Sequence, residues 1–295
     1  MGSRITIIMH PRREPTRVDA LREIVARLRA QGHRVAVRLT FEAGDAAHFA
    51  REAVRAGSDL VVAAGGDGTL NEVVNGVARM RRQPRIGIVP IGTANDFAAG
   101  LGLPTDMDEA FAVALRGRPI AVDVGCVNGR YFVNVSTGGF GAEATEATSP
   151  ETKRFLGPFA YLVTGVREFV ELHTVSARFV ADGRVFYAGE FLLFAVGNGR
   201  RTGGGSVLTP RARLDDGRLD LLVIPAMPRL EFLALLPEVR AGTHIDHPGV
   251  LYTQTTSITV RAARPLSVNA DGEPLHARRL RYSLLPRPIT VMAPR

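Results

Sequence analysis

The stretch that decides the fold is 60–70, which reads LVVAAGGDGTL. The apolar run Leu60–Ala64 predicts a buried strand, and the spacing that follows predicts a helix over Leu70–Met80. The intervening Gly65–Thr69 lets the backbone approach a ligand, and the free N–H groups of a helix N-terminus favour a phosphate. A tight strand–helix turn capped by Asp67 or Thr69 explains the same residues without any ligand.

Strands and helices alternate on both sides of this turn through the first third of the chain. The predicted strands are Ile5–Met9, Val35–Leu39, Leu60–Ala64 and Ile86–Pro90. The predicted helices are Val18–Ala30, Ala46–Ala56, Leu70–Met80 and Met107–Leu115. This alternation predicts an α/β domain with a mostly parallel, Rossmann-like sheet, whose ligands lie beyond the carboxyl ends of the strands.

The pattern changes near residue 120, where short alternating strands separated by Gly, Asp and Asn take over. It predicts a larger antiparallel β-sandwich as the C-terminal domain. We therefore expect an α/β domain over residues 1–122 and a β-sandwich domain over residues 123–295. One helical segment, Arg154–Leu172, interrupts the strands with an apolar stripe. Packing against the sandwich explains this stripe, and a wall that admits acyl chains is the functional alternative.

Composition narrows the chemistry. The net charge of +8 over 295 residues favours an anionic partner. Lys153 is the only lysine, and it lies in neither a P-loop nor a protein-kinase context, so arginine, backbone N–H groups and metal must neutralise any phosphate. The single cysteine, Cys126, excludes an internal disulfide and fits a reducing cytoplasmic compartment. No apolar run is long enough to span a membrane.

Two motifs carry a specific resemblance: GGDGTLNEVVNG over Gly65–Gly76 and PIGTANDFA over Pro90–Ala98. Together they resemble the catalytic-domain signature of diacylglycerol, sphingosine and bacterial lipid kinases. Four further stretches resemble the YegS-type bacterial branch, in the expected order: RLTFEAGDAA (38–47), NVSTGGFG (134–141), GNGRRTGGG (197–205) and DGEPL (271–275). NAD kinases and 6-phosphofructokinases share the GGDG element, but the GSTAY-like stretch expected of an NAD kinase is absent.

The resemblance implies a nucleotide site. The positions that match family contacts to ATP are Thr40, Gly66, Asp67, Gly68, Thr69, Leu70, Asn71, Glu72 and Thr93. Without the family match, each threonine is explained equally well by a turn or cap hydroxyl. Mg²⁺ is the cofactor expected to accompany ATP. His10 stands where many relatives carry asparagine, so the resemblance does not define the nucleotide contacts near this residue.

The resemblance also implies a base and a second metal. Glu273 matches the family's proton acceptor, although it also fits a solvated residue after a hairpin turn, and Asp67 competes for the role. In the YegS branch a structural cation, Mg²⁺ or Ca²⁺, is held at positions matching Asp216, Arg213 and Arg218, the arginines through their carbonyls. An ordinary Asp-Asp-Gly turn is the alternative.

These expectations combine into a cytoplasmic ATP-dependent kinase. It would phosphorylate a hydroxyl of a membrane lipid, diacylglycerol or phosphatidylglycerol in type, while docked peripherally on an anionic membrane surface. The sequence is compatible with both a monomer and a homodimer. The alternatives are a soluble-substrate kinase of the NAD-kinase type and a non-catalytic module that binds nucleotide or lipid. Nucleic acid is not expected as a partner, because no aromatic-rich RNA-binding strand is present and aromatic residues make up only 6% of the chain.

Overall fold

The computed structural model describes residues 2–11, 15–139 and 174–295, so the expected helix over Arg154–Leu172 lies outside the described residues. The chain divides into two compact units: unit 1 is Met1–Val122 with Arg287–Arg295, and unit 2 is Asp123–Pro286. The segment Arg287–Arg295, at the end of the expected domain of residues 123–295, groups with unit 1. This segment belongs to unit 1 because the last strand returns there to pair with the α/β sheet.

Unit 1 alternates strands and helices. Its first four strands are Arg4–Met9 (β1), Arg34–Leu39 (β2), Leu60–Gly65 (β3) and Arg85–Pro90 (β4). Its helices are Pro15–Ala30 (α1), Asp45–Arg55 (α2), Asp67–Val77 (α3), Asp96–Gly100 (α4) and Met107–Arg116 (α5). Local signals set several ends: Gly57 takes a positive φ of 78° after α2, and the Asp106 side chain accepts a hydrogen bond from the Glu109 N–H to cap α5.

The strands of unit 1 lie in the order β2-β1-β3-β4. The pairings β1–β2, β1–β3 and β3–β4 are parallel, as is the pairing of β4 with the last strand of the chain through Thr290 and Val291. The strands of unit 2, in contrast, pair mainly antiparallel, as described next. Every residue of β3 is buried, as expected for a strand covered on both faces.

Unit 2 consists mainly of antiparallel strands. In chain order the strands from the boundary onward are Arg118–Val127 (β5), Arg130–Phe132 (β6), Val135–Gly139 (β7), Val175–Ala181 (β8), Arg184–Gly197 (β9), Arg201–Thr202 (β10), Ser206–Val207 (β11), Leu219–Pro225 (β12), Leu251–Thr255 (β13), Ser257–Ala270 (β14) and Glu273–Ala293 (β15). The helix Arg229–Ala241 (α6) lies between β12 and β13.

The strand order in unit 2 is β13-β12-β9-β7-β14-β15, and β8 pairs with both β9 and β14. The core contains an aromatic cluster in which the rings of Phe179, Phe191 and Phe194 meet edge to face, with centroids 5.1 to 5.7 Å apart. Phe194 explains one glycine of the sequence motif on β7, because a Cβ at Gly138 would lie 2.4 Å from its ring. None of the helices in the described ranges is long and apolar enough to cross a membrane.

Candidate functional site

Polar loops of unit 1 meet at the carboxyl edge of the parallel sheet. The register pairs Met9 with both Leu39 and Ala64, and Gly65 with Pro90, so β1 to β4 end side by side. Thr40 follows β2 directly, is buried, and donates its backbone N–H to the carbonyl of Met9 at 3.0 Å. Three of the expected nucleotide-binding segments therefore lie at one edge of the sheet: Thr40, Gly66–Glu72 and Thr93.

His10 lies at the same edge. Its ring Nδ1 is 3.1 Å from the Thr40 hydroxyl, and its backbone N–H donates to the carbonyl of Ala64 at 3.1 Å. The histidine therefore takes part in the local hydrogen bonding at the ends of β1, β2 and β3. This places His10 beside Thr40, a contact that the sequence did not predict.

The glycines at this edge serve two different purposes. A Cβ at Gly92 would lie 2.3 Å from the Gly66 Cα, and one at Gly65 would lie 2.2 Å from the Thr69 hydroxyl oxygen. Gly92 and Gly65 are therefore required by close packing, Gly92 against the turn after β3 and Gly65 against the side chain of Thr69. A Cβ at Gly68, in contrast, would meet no atom within 4 Å. Packing does not explain the glycine at position 68, in the exposed first turn of α3.

Asp67 joins the two signature motifs. Its carboxylate accepts hydrogen bonds from the backbone N–H groups of Asp96 and Phe97, both at 3.1 Å. These donors belong to the first turn of α4, which follows Asn95 in the left-handed region at φ 52°. Asp67 thus holds the start of α4 against the start of α3. A carboxylate suits this position because negative charge is favoured at a helix N-terminus. The sequence predicted Asp67 as an ATP contact, a metal ligand, a base or a cap of its own helix, but not this bond to α4.

The other residues of the first motif divide between core and surface. Leu70 is only 2% exposed, so its side chain belongs to the core and only its backbone could meet a ligand. Asn71 is buried and accepts hydrogen bonds from the Asn75 side chain through its carbonyl and its Oδ1, both at 2.9 Å. The carboxylate of Glu72 accepts the N–H of Ala46 at 3.0 Å and so holds the start of α2. Thr93 is exposed.

The three motif stretches of unit 2 are linked by hydrogen bonds that start at Asp271. Its buried carboxylate accepts the backbone N–H groups of Val133, Asn134 and Val135 at 2.6 to 3.1 Å. The carbonyl of Asn134 in turn accepts the N–H groups of Asn198 and Gly199. The Asn198 side chain donates to the carbonyls of Val133 and Asp123. The Asp123 carboxylate then accepts the N–H of Gly217 at 2.8 Å.

Glu273 begins β15, two residues after Asp271. Its side chain is 43% exposed, and its carboxylate lies 3.8 Å from the Arg130 guanidinium, which also donates to the carbonyl of Pro274. Asp271 fixes the hairpin that presents Glu273, since it ties that hairpin to three consecutive N–H groups. The structure therefore holds the backbone beside Glu273 firmly while leaving the carboxylate accessible.

The loop expected to hold a second metal has a different set of contacts. The Asp216 carboxylate accepts the N–H of Arg218 at 3.0 Å, and Arg213 lies 3.6 Å from Asp215. The neighbouring Asp220 is buried, and this burial raises the pKa of its carboxyl; the charge of Asp216 adds to the rise, while hydrogen bonds from Tyr252 and Gln254 oppose it. Within the described ranges no group of three or more His, Cys, Asp or Glu could hold a metal ion. A second cation is therefore not supported by side-chain ligands.

Comparison with known proteins matches both units. The profile of the family described as the diacylglycerol kinase catalytic domain matches residues 4–127. The profile described as the YegS C-terminal NAD kinase beta sandwich-like domain matches residues 134–293. A Pseudomonas aeruginosa (strain UCBPP-PA14) protein named "Probable lipid kinase YegS-like" is 41% identical over 294 residues, which cover 99% of this chain and 94% of that protein. The chain belongs to the YegS-type lipid kinase family.

Further relatives of this family agree with the assignment. The diacylglycerol kinase of Staphylococcus carnosus (strain TM300) is 38% identical over 86% of this chain and 82% of its own. A crystal structure of a candidate diacylglycerol kinase from Bacillus anthracis str. Sterne aligns with a TM-score of 0.86 at 28% identity, covering 99% of this chain and 95% of that one. The yeast NADH kinase in complex with NADH aligns with a TM-score of 0.58 at 14% identity, which shows a shared fold alone.

For this YegS-type kinase, one residue near the sheet edge escaped sequence reasoning. Arg17, in the first turns of α1, donates from its guanidinium to the carbonyl of Ile91, directly after β4. Its charge therefore lies beside the turn that carries Gly92 and Thr93. An arginine early in a helix has no distinctive spacing, so the sequence offered no signal for this contact.

Proposed function

We propose that this protein transfers the γ-phosphoryl group of ATP to a hydroxyl of a membrane lipid of the diacylglycerol or phosphatidylglycerol type. The observation that carries the proposal is the hydrogen bonding of Asp67 to the first turn of α4. It joins the two motifs that the family shares, GGDGTLNEVVNG and PIGTANDFA, into one structural unit at the sheet edge. The family membership supplies the reaction class.

The nucleotide phosphates would lie against the first turn of α3. The N–H groups there are directed out of the helix end, where the helix dipole favours negative charge. Gly68 supports this placement, because a Cβ there would meet no protein atom and the backbone is open to a ligand. Thr40 and Thr93 would offer hydroxyls, and Gly66–Glu72 would offer mainly backbone groups, since Leu70 and Asn71 have buried side chains.

The phosphate charge must be neutralised by groups other than lysine. The described residues contain no lysine, so Arg17, whose guanidinium lies at the end of β4, is the cation that we place nearest the phosphates. Mg²⁺ bound with ATP would supply the remaining neutralisation of the transferred group. Asp67 fits such an ion. Each of its carboxylate oxygens accepts one backbone hydrogen bond, and each has a further lone pair that could coordinate Mg²⁺.

The proton of the lipid hydroxyl requires an acceptor. We assign this role to Glu273, whose accessible carboxylate is presented by a hairpin that Asp271 holds in place. Arg130 lies close enough to orient the carboxylate without burying it. Asp67 is the competing base, but its two hydrogen bonds to α4 give it a structural task that Glu273 does not have.

The proposal also includes two interactions outside the reaction itself. The protein would dock peripherally on an anionic membrane surface, consistent with its net charge of +8. A second cation would be held by the Asp216 carboxylate with the main-chain carbonyls of Arg213 and Arg218. Hard cations accept such mixed carboxylate and carbonyl oxygen ligands.

The test is incubation of the purified protein with labelled ATP, Mg²⁺ and a panel of purified lipids, followed by separation of the products. We expect label in one lipid class, which names the substrate. Matched reactions contain NAD in place of lipid. Label that appears in NAD and in no lipid would replace the proposal by a soluble-substrate kinase, and hydrolysis of ATP without label in either acceptor would refute transfer to both.

A further inference from the structure

Four arginines of unit 2 form a row across three neighbouring strands. The register places Arg261 of β14 directly opposite Arg178 of β8 on one side and opposite Arg279 of β15 on the other. Arg281 lies two residues further along β15, and so projects from the same face as Arg279. Residues directly opposite in an antiparallel pair have Cβ atoms roughly 5 Å apart. The side chains of this arginine row are therefore immediate neighbours.

The arginine row lies on the solvent face of the sheet. All four residues are exposed, whereas the alternating residues beside them, such as Val260, Leu280 and Tyr282, are buried in the aromatic core of unit 2. The alternation fixes the direction of the row, since side chains one residue apart on a strand point to opposite faces. Rotation of the strand or a shift of register by one residue would expose the core.

Carboxylates do not offset this charge within the described part of the chain. None of the ion pairs found among residues 2–11, 15–139 and 174–295 involves Arg178, Arg261, Arg279 or Arg281. On the same face Glu190 lies opposite Ser176 and diagonal to Arg178, and it accepts a hydrogen bond from the Thr174 hydroxyl. The positive charge of Arg281 first, then burial and the charge of Arg261, lower the pKa of Arg279.

Like charges directly opposite one another destabilise a sheet, and an anionic surface would relieve that repulsion. We propose that the arginine row is the surface by which this protein docks on the phosphate groups of anionic membrane lipids. The inference rests on the proposed function in one respect, namely that the acceptor hydroxyl lies in a membrane. It goes beyond that function because it assigns the contact to one face of one sheet.

The side chains around the row favour a lipid surface over a nucleic acid. The neighbouring positions on this face carry small or aliphatic groups: Ser176, Val180, Ala188, Thr259 and Ser283. Single-stranded nucleic acid is usually held by aromatic side chains that stack on bases, and these positions have none. A row of guanidinium groups over small residues instead suits a layer of phosphates, to which each arginine can donate two hydrogen bonds.

Vesicle flotation tests the inference with the full chain and three double variants. Arg261→Gln/Arg279→Gln removes the centre of the row, and Arg261→Lys/Arg279→Lys keeps its charge. Arg55→Gln/Arg116→Gln is the matched control, since it removes the same charge from two exposed helix ends of unit 1. The vesicles contain phosphatidylcholine alone or with one third phosphatidylglycerol, at low and at physiological salt.

We expect wild type to bind only the anionic vesicles, more weakly as salt rises. The glutamine variant should lose about 25-fold in partitioning, roughly fivefold per arginine near the surface, while the lysine variant and the control lose less than threefold. Equal losses in the glutamine variant and in the control would overturn the assignment, because net charge alone would then explain binding. Tighter binding of wild type to duplex RNA than to vesicles, lost in the glutamine variant alone, would also overturn it.

A parallel assay separates this inference from the proposed function. Each variant is assayed with a short-chain diacylglycerol dispersed in neutral detergent micelles, where no anionic surface is present. We expect the glutamine variant to match wild type in this assay and to fall behind only on anionic vesicles. Absence of lipid phosphorylation by wild type in both assays would refute the proposed function, whereas flotation would still decide whether the row binds the vesicles. Thermal unfolding confirms that the variants are folded.

Discussion

The carboxylate of Asp67 accepts the backbone N–H of Phe97 at 3.1 Å, across a separation of 30 residues. This bond, with its companion from the N–H of Asp96, ties the turn after β3 to the turn after β4. Asp67 therefore has a structural function that precedes any contact with ATP or metal. Experiments on this residue must separate loss of geometry from loss of chemistry.

We expect Asp67→Ala to lower kcat by more than tenfold and also to lower the melting temperature. Hydrogen bonds to a charged acceptor are worth about 1.5–3 kcal/mol each, and two are lost. Asp67→Asn keeps one acceptor oxygen, so it should recover part of the stability and little of the activity. Steady-state kinetics and thermal unfolding of both variants check this. A kcat for Asp67→Ala above a tenth of wild type would remove Asp67 from the catalytic site.

The second prediction concerns Asp271, which accepts three consecutive backbone N–H groups from a buried position. Asp271→Ala should destabilise unit 2 by about 3 kcal/mol or more, because buried donors lose their acceptor. Glu273→Gln, two residues away at an accessible position, is the matched control and should change stability by less than about 1 kcal/mol. Denaturant unfolding measures both. Similar values for the two variants would contradict the anchoring role of Asp271.

Sequence patterns predicted local structure well at the first motif. The apolar run of β3 and the spacing of Leu70, Val73, Val74 and Val77 in α3 depend on neighbours in the chain, and these residues are buried as expected. Long-range pairings were missed. The return of the last strand to β4 through Thr290 and the bond between Asp67 and Phe97 depend on which elements become neighbours in space, and local patterns do not contain that information.

The arginine row illustrates the same limit for function. Arg178, Arg261 and Arg279 are far apart in the sequence, and only the register of β8, β14 and β15 makes them neighbours. Net charge predicted an anionic partner but could not locate the contact. The candidate site behaves similarly, since the motifs named Thr40 and Glu273 whereas the contacts of His10 and Arg17 emerged from the fold.

The third prediction tests the second cation. We expect Mg²⁺ or Ca²⁺ to raise the melting temperature of wild type, since an ion that binds only the folded state stabilises it. Asp216→Ala should reduce this shift by at least half, because the variant removes the one side-chain ligand that we assign to the site. Asp215→Ala, at the neighbouring position, is the control and should keep the shift. An equal shift in the Asp216 variant would place the ion elsewhere.

The fourth prediction concerns His244, which is buried and whose Nε2 donates to the carbonyl of Leu208 at 3.1 Å. Burial lowers the pKa of His244 below its usual 6.5, although hydrogen bonds to backbone carbonyls and nearby carboxylates oppose the shift. Near and below pH 6.5, the unfolded chain therefore binds more protons at His244 than the folded chain does. The stability is fully present above about pH 6.5 and decreases as pH falls below it, by up to about 1.4 kcal/mol per pH unit.

His244→Leu should flatten this dependence below about pH 6.5, whatever its effect on stability in alkaline solution. The measurement is denaturant unfolding at several pH values. An unchanged slope in the Leu variant would assign the acid sensitivity to other groups.

The last prediction is that Glu273→Gln lowers kcat by roughly 10²–10⁴, the usual range for loss of a general base. The KM for ATP should change little, because Glu273 belongs to unit 2 and the residues that we assign to ATP belong to unit 1. The exposed contact with Arg130 at 3.8 Å contributes at most about 1 kcal/mol, so a folding defect should not obscure the result. Arg130→Gln is the companion variant. It should lower kcat far less, since it leaves the carboxylate in place.

The pH–rate profiles of wild type, Glu273→Gln and Asp67→Asn then identify the base. Loss of the acidic limb in the Glu273 variant alone would secure its role, whereas a nearly silent Glu273→Gln beside an inactive Asp67→Asn would transfer that role to Asp67.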